Sequence, residues 1–235
     1  MRTAIRFSEP SIMTSLAPAP EFALYGYFRS SAAFRVRIAL NLKGIAAELR
    51  FVHLLNDGGQ QHRAEYKAVN PQELIPTLVH NGRAIGQSLA IIEYLDEIVP
   101  EPPLLPVGPA SRARVRQIAY AVACDIHPVN NLRVNLYLRD ALGAGDNARA
   151  EWQRHWIAKG FAALETLLTN SDDTGAYCHG DSPTLADVCL IPQLANARRV
   201  ELDLEPYPTL MRIEAHALSN HAFKAALPKN QPDAE

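Results

Sequence analysis

Apolar positions change their rhythm near residue 100. Before that point, short apolar runs alternate with amphipathic stretches. Phe22–Phe28 is apolar and aromatic and stops at Arg29, Ser30 and Ser31, so it reads as a buried strand feeding a helix. Phe34, Ile38 and Leu42 fall at four-residue spacing against polar Arg35, Asn41 and Lys43, which predicts a helix over Ala32–Lys43 with Gly44 just past its end. Glu48–Leu54 reads as a second strand, Asn56–Gln60 as a polar loop, and Gln61–Ala68 as a short helix stopped by Asn70-Pro71. Thr77–His80 and Ala84–Ile85 flank Asn81-Gly82, a hairpin signal because both turn residues tolerate positive φ. From Ser88 onward, Leu89, Ile92 and Leu95 share one helical face and Glu93, Asp96 and Glu97 another.

Pro100, Pro102, Pro103, Pro106 and Pro109 then form a stretch that sustains no helix and reads as a domain boundary. Strand signals end there. Helical patterns run over about Ser111–Leu142, Asn147–Leu168, Thr184–Val200 and Tyr207–Ala217. The expected organisation is a flexible leader over 1–20, an α/β unit over 21–100, a linker over 101–109, an all-helical unit over 110–228, and a flexible tail over 229–235. The fold class is α/β plus all-α.

Composition narrows the function classes. With 235 residues, 48% hydrophobic and 20% charged, the chain buries a sizeable core. A formal charge of -2 supplies no net basic field for nucleic acid or an anionic membrane, although local basic clusters stay open. Cys124, Cys178 and Cys189 lack metal-ligand spacing and read as packing residues, so no metal site is expected. No run approaches the roughly 18 apolar residues of a spanning helix, and the expected location is cytoplasmic.

Six ordered strings carry more. They are YFRSSAAFRVRIAL (Tyr27–Leu40), NPQELIPTL (Asn70–Leu78), GQSLAIIEYLDE (Gly86–Glu97), CDIHPVNNLRV (Cys124–Val134), DSPTLADVCLIPQLANARRV (Asp181–Val200) and DLEPYPTL (Asp203–Leu210). Together they resemble the glutathione transferase family, zeta class, across nearly everything after Glu21. The resemblance implies a thioredoxin-like domain followed by an all-helical domain, glutathione as cofactor, and a homodimer.

Glutathione is an anionic thiol tripeptide, so its site needs strand-like pairing, carboxylate donors and something that favours thiolate. Ser30 and Ser31 stand where the first strand yields to the first helix, where hydroxyls and orphan N–H groups stabilise an anion, although Ser there also serves as a plain N-cap. The resemblance favours Ser30 as thiolate partner, with Ser31 assisting. Ile75, before Pro76, is implied to pair strand-like with the cysteinyl unit if the Pro76 bond is cis, as in this family; otherwise Pro76 is an ordinary strand-edge proline. Gln87 and Ser88 begin the third helix and would meet the γ-glutamyl carboxylate, or only cap the helix; Gln61 and Gln72 are weaker candidates for the glycyl end. His127 and Asn131, four apart on one helical face, complete the cofactor-side candidates.

Arg29, Arg133 and Arg199 are the candidates for a dicarboxylate substrate, since guanidinium binds carboxylate bidentately. Arg29 also counts as catalytic through its place beside Ser30. Arg199 reads equally as surface charge beside Arg198. About six residues on an ideal helix put Arg133 roughly 120° from His127, so that grouping needs a kink at Pro128 or a long reach. Relatives commonly carry Cys then Ser after the paired serines, whereas this chain has Ala32 and Ala33. The implied activity is glutathione-dependent cis–trans isomerisation of maleylacetoacetate or maleylpyruvate in aromatic catabolism. The alternatives are a general glutathione transferase, dehalogenase or peroxidase, and a binding protein of the same fold. Thr184 and Asp187 read as a helix-starting box rather than as catalytic residues.

Overall fold

A computed structural model describes residues 21–235. The leader expected over residues 1–20 lies outside the described residues. Strand β1 (Phe22–Gly26) runs parallel to β2 (Glu48–Phe51) and antiparallel to β3 (Thr77–His80), and β3 pairs with β4 (Arg83–Gly86), giving the order β2-β1-β3-β4. Leu24 stands opposite Leu78 in the register, and both are buried. The β3–β4 turn is made by Asn81 and Gly82 with φ of 49° and 76°, the left-handed pair that a tight hairpin requires.

Helix α1 (Ser31–Leu42) is buried on every side along Ala33–Leu40, because it lies between the sheet and the helical half. That placement corrects the reading of Arg35 as part of a polar outer face: it is fully covered, and Arg37 nearly so. The expected helix over Gln61–Ala68 is two pieces, a 3-10 turn at Gln60–His62 and α2 (Ala64–Val69), because Arg63 between them is extended. Helix α3 (Ser88–Ile98) packs on α1.

The proline segment is pinned. Lys43 Nζ, side chain fully buried, donates to Asp96 Oδ1 and the Pro102 carbonyl at 2.6 Å each, and Leu104 N donates to the same Asp96 oxygen at 2.8 Å. Leu104 and Leu105 join one hydrophobic core that runs through both halves.

The helical half contains α4 (Pro109–Tyr120), α5 (His127–Asn130), α6 (Leu132–Asp140), α7 (Asp146–Thr169), α8 (Leu185–Arg199), α9 (Pro208–Ala217) and α10 (His221–Ala225). The single helix expected over Ser111–Leu142 is therefore broken, with a π-helical stretch at Ala121–Ile126 and an extended Asn131 at φ -75°, ψ 166°. Polar side chains satisfy the carbonyls that the break frees. Asn130 Nδ2 donates to Ile126 O at 2.8 Å, Asn135 Nδ2 to Asn130 O and Asn131 O at 3.1 Å, and Trp152 Nε1 to Val129 O at 2.8 Å. Gly160 on α7 permits the approach, since a Cβ there would come within 2.3 Å of the Ile126 side chain.

Helix α8 starts with the expected box: Asp187 Oδ2 accepts from Thr184 N and Oγ1, while Oδ1 accepts from Cys178 N. Burial raises the Asp187 carboxyl above its ordinary range, and these donors pull it back. Cys178 and Cys189 are buried as read, but Cys124, between buried Val122 and Ile126 in the π-helical stretch, is exposed. The last seven residues are not a loose tail: Asp233 and Glu235 bond to the α/β half. Among the described residues, no helix is long and apolar enough to cross a membrane.

Candidate active site

A cavity of about 530 Å³ lies between the β1–α1 turn and the broken helix. One wall comes from the α/β half. Ser30 caps α1, its Oγ accepting from Ala33 N at 3.1 Å while its carbonyl accepts from Phe34 N at 2.9 Å. Capping and anion binding are therefore not competing uses of Ser30. Its oxygen lone pair holds the helix, and its O–H proton stays free to donate into the cavity. The N–H groups of Ser31 and Ala32 are the unclaimed donors of the first turn, backed by the positive end of the helix dipole. Ser31 lines the cavity, whereas Ala32 does not.

Ile75 lines the same wall, and its bond to Pro76 is cis. Gln61 is buried rather than solvent-facing, with Oε1 lacking a partner and Nε2 2.9 Å from His62 Nε2. Gln72 also lines the wall, and its Oε1 accepts from Gln87 Nε2 at 3.0 Å. Gln87 and Ser88 themselves stand outside the lining. Ser88 is buried and accepts from Arg35 NH1 at 3.2 Å, so the guanidinium that the helix pattern placed outside holds its oxygen while its O–H stays free to donate.

The opposite wall contains His127, Asn131, Arg133 and Arg199. The expected four-residue face of His127 and Asn131 does not exist, because Asn131 leaves the helix to cap α6, its Oδ1 accepting from Val134 N at 3.3 Å. That same break, and not a Pro128 kink alone, swings Arg133 round to the cavity. Burial first, then Arg35, Arg133 and Arg199, push His127 down to about 3, so it is neutral at pH 7; its buried Nδ1 has no partner. Burial lowers Arg199, and Arg29 adds to this from across the cavity. Arg199 also donates to Asn196 Oδ1; it is partly solvent-exposed like Arg198, but unlike Arg198 it lines the cavity.

Arg149 and Gln153 from α7 belong to this wall and were not legible as site residues. Arg149 pairs with Asp146, yet its buried Nε has no partner. Nothing in its polar first-turn surroundings distinguishes it from a solvated charge. The lining thus has four arginines against one carboxylate, Glu73. His62 at 2.5 Å and Lys67 at 3.1 Å hold Glu73 below the usual carboxylate range. A chain of charge -2 has concentrated positive charge in one cavity, beside apolar Leu54, Leu55, Leu132 and Leu136. Such a site suits a ligand or ligand pair that is anionic at several points and partly apolar between them.

The chain matches two family models, the N-terminal domain of glutathione S-transferase over residues 24–103 and its C-terminal domain over residues 146–216. The chain belongs to the glutathione S-transferase family, in its zeta class. Among relatives, a probable maleylacetoacetate isomerase of Vibrio cholerae is 52% identical, over 90% of this chain and 97% of its own. The holo structure of maleyl pyruvate isomerase, a bacterial zeta-class glutathione S-transferase, has a TM-score of 0.88 at 45% identity, covering 91% of this chain and all of the other. A maleylacetoacetate isomerase of Methylobacterium extorquens AM1, with bound malonate and GSH, has a TM-score of 0.87 at 43% identity, covering 91% and 99%. In this zeta-class chain the fold is the expected pairing of a thioredoxin-like half with a helical half.

Proposed function

We propose that the chain is a glutathione-dependent isomerase converting maleylacetoacetate, or maleylpyruvate, to the fumaryl isomer. The observation that carries this reading is the division of labour across one cavity, with open helix N–H donors and a free serine O–H on one side and clustered guanidinium groups on the other. Both relatives and solved neighbours with these isomerase names support it.

The residues fit glutathione. Gln61 Oε1 is an orphaned buried acceptor suited to an amide or ammonium donor, and Ser30, Ser31, Ile75 and Gln72 line the same wall. When bound, glutathione supplies the thiolate that adds reversibly to a conjugated cis double bond. Ser30 O–H and the first-turn N–H groups of α1 stabilise negative charge on sulfur and so favour the ionised form. Arg29, Arg133 and Arg199 hold substrate carboxylates and donate to oxygen that becomes negative during the reaction. Neutral His127 does not add a further positive charge; its buried nitrogen offers a hydrogen bond only. Ala32 carries no nucleophile, so no sulfur of this turn competes with glutathione.

The test follows conversion of each substrate to its fumaryl isomer, with and without glutathione. Glutathione-dependent conversion is the expected result. Conversion of neither, with glutathione still bound, would overturn the isomerase reading in favour of a transferase on other electrophiles. We also propose that two copies pair, which light scattering in solution checks by mass.

A further inference from the structure

The turn that presents Arg29 and Ser30 is gripped from both sides. On the carbonyl side, buried Arg37 of α1 donates to Tyr27 O at 3.4 Å and Phe28 O at 3.1 Å, and also to Ala226 O at 3.1 Å just past α10. On the amide side, Phe28 N donates to Asp233 Oδ2 at 2.9 Å, across 205 residues of chain. Phe28 is buried, and an N–H there without an acceptor would be costly. The tail brings more than one contact. His53 Nδ1 accepts from Leu55 N and Asn56 N, which puts its proton on Nε2, 2.9 Å from Glu235 Oε1. Gln231 Nε2 donates to Ala225 O and Leu227 O at 2.9 and 3.0 Å, which ties the tail to the helical half. The tail therefore bridges the helical half to two segments of the cavity's α/β wall, Tyr27–Ser30 and Leu54–Leu55.

We propose that Asp233 is a positioning residue for catalysis: by holding the Phe28 amide opposite the grip of Arg37, it sets the orientation of the adjoining Arg29–Ser30 turn toward the glutathione sulfur. The inference rests on the reading of Ser30 as the thiolate's partner. Its physical content is that a helix N-terminus stabilises an anion only when its donors are aimed, and a turn left free on its amide side loses that aim. Burial lowers Arg37 to about 10, and the nearby Asp233 charge opposes the shift, so the carboxylate also balances the guanidinium that grips the other side.

The experiment compares the intact protein with Asp233→Ala and Asp233→Asn. Asparagine keeps an oxygen for Phe28 N–H and loses the charge; alanine loses both. Titration of thiolate absorbance in the binary complex with glutathione reads the sulfur's ionisation directly, without turnover. Asp233→Ala should raise the thiol pKa of bound glutathione by about one unit, leaving on the order of tenfold less thiolate and a similar fall in kcat at neutral pH. The KM for the dicarboxylate should rise by no more than a few fold, because Arg29 shares the turn while Arg133 and Arg199 hold carboxylate from the opposite wall. Asp233→Asn should recover most of the thiolate.

Unchanged thiolate ionisation in Asp233→Ala, whether or not its thermal midpoint falls, would overturn the proposal. So would an Asp233→Asn as impaired as the alanine variant, since the acceptor would then not be what matters. Absence of any thiolate signal in the intact protein would instead remove the Ser30 reading and this inference with it.

Discussion

The two walls of the cavity are built on different principles. The α/β wall uses backbone and short polar groups set by one strand-to-helix turn, with Ser30 and Ser31 adjacent in sequence and Ile75 beside the central strands. The helical wall uses long charged side chains that arrive from three helices and a break: Arg133 from α6, Arg149 from α7 and Arg199 from α8. A turn that meets a constant cofactor gains from short, rigid donors. A wall that selects a substrate gains from groups whose reach can differ between relatives, and its cost is the burial of charge.

The sharpest way to break this comparison is at Ser30. Ser30→Ala should reduce kcat/KM by about 10²-fold, the effect of losing one donor at a developing or resting anion, and should lower stability by only about 1 kcal/mol through the lost cap. Kinetics beside a thermal melt separate the two, and a loss of stability without loss of rate would return Ser30 to capping alone. Next is the substrate clamp. Arg29→Ala or Arg199→Ala should cost roughly tenfold or more in kcat/KM with dicarboxylate, while glutathione affinity by calorimetry stays within about threefold. Unchanged turnover in Arg29→Ala would remove it from the substrate site.

Arg149→Gln should act more weakly, since Asp146 already shares its guanidinium: a KM increase of about threefold for dicarboxylate and none for a neutral electrophile, measured side by side. The smallest effect at neutral pH belongs to His127. Its folded pKa of about 3 lies below the unfolded value, so the unfolded state binds more protons as acid is added. Its contribution is fully present above about pH 6.5 and is lost as pH falls toward 3, up to a few kcal/mol. Denaturant melts of His127→Asn should therefore lose less stability between pH 7 and pH 4 than the unaltered protein, with little difference in that slope above pH 7.

Legibility follows the same division. The hairpin at Asn81-Gly82, the start of α1 at Ser30 and the box at Thr184–Asp187 each depend on neighbours within a few residues, and each was readable. The stretch from Ser111 to Leu142 was not. Its residues keep a helical pattern throughout, and the break at Asn131 is held locally by Asn135 and across the fold by Trp152 and Gln153, which reach the freed carbonyls only after α7 has packed. Arg35 was misread for a related reason: a helix covered on both sides has no polar face, and the pattern alone does not say how many sides are covered.

Sequence by itself determined the order of elements, the turn that carries the serines and the membership that six strings share, because local propensity, capping and turn chemistry act over a few residues. Tertiary structure alone decided which charges converge. Arg149 entered the cavity, buried Arg35 met Ser88, and Asp233 returned across 205 residues to the turn before Ser30. The physical reason is range: a hydrogen bond or a guanidinium contact is made within about 3 Å in space and takes no account of separation along the chain.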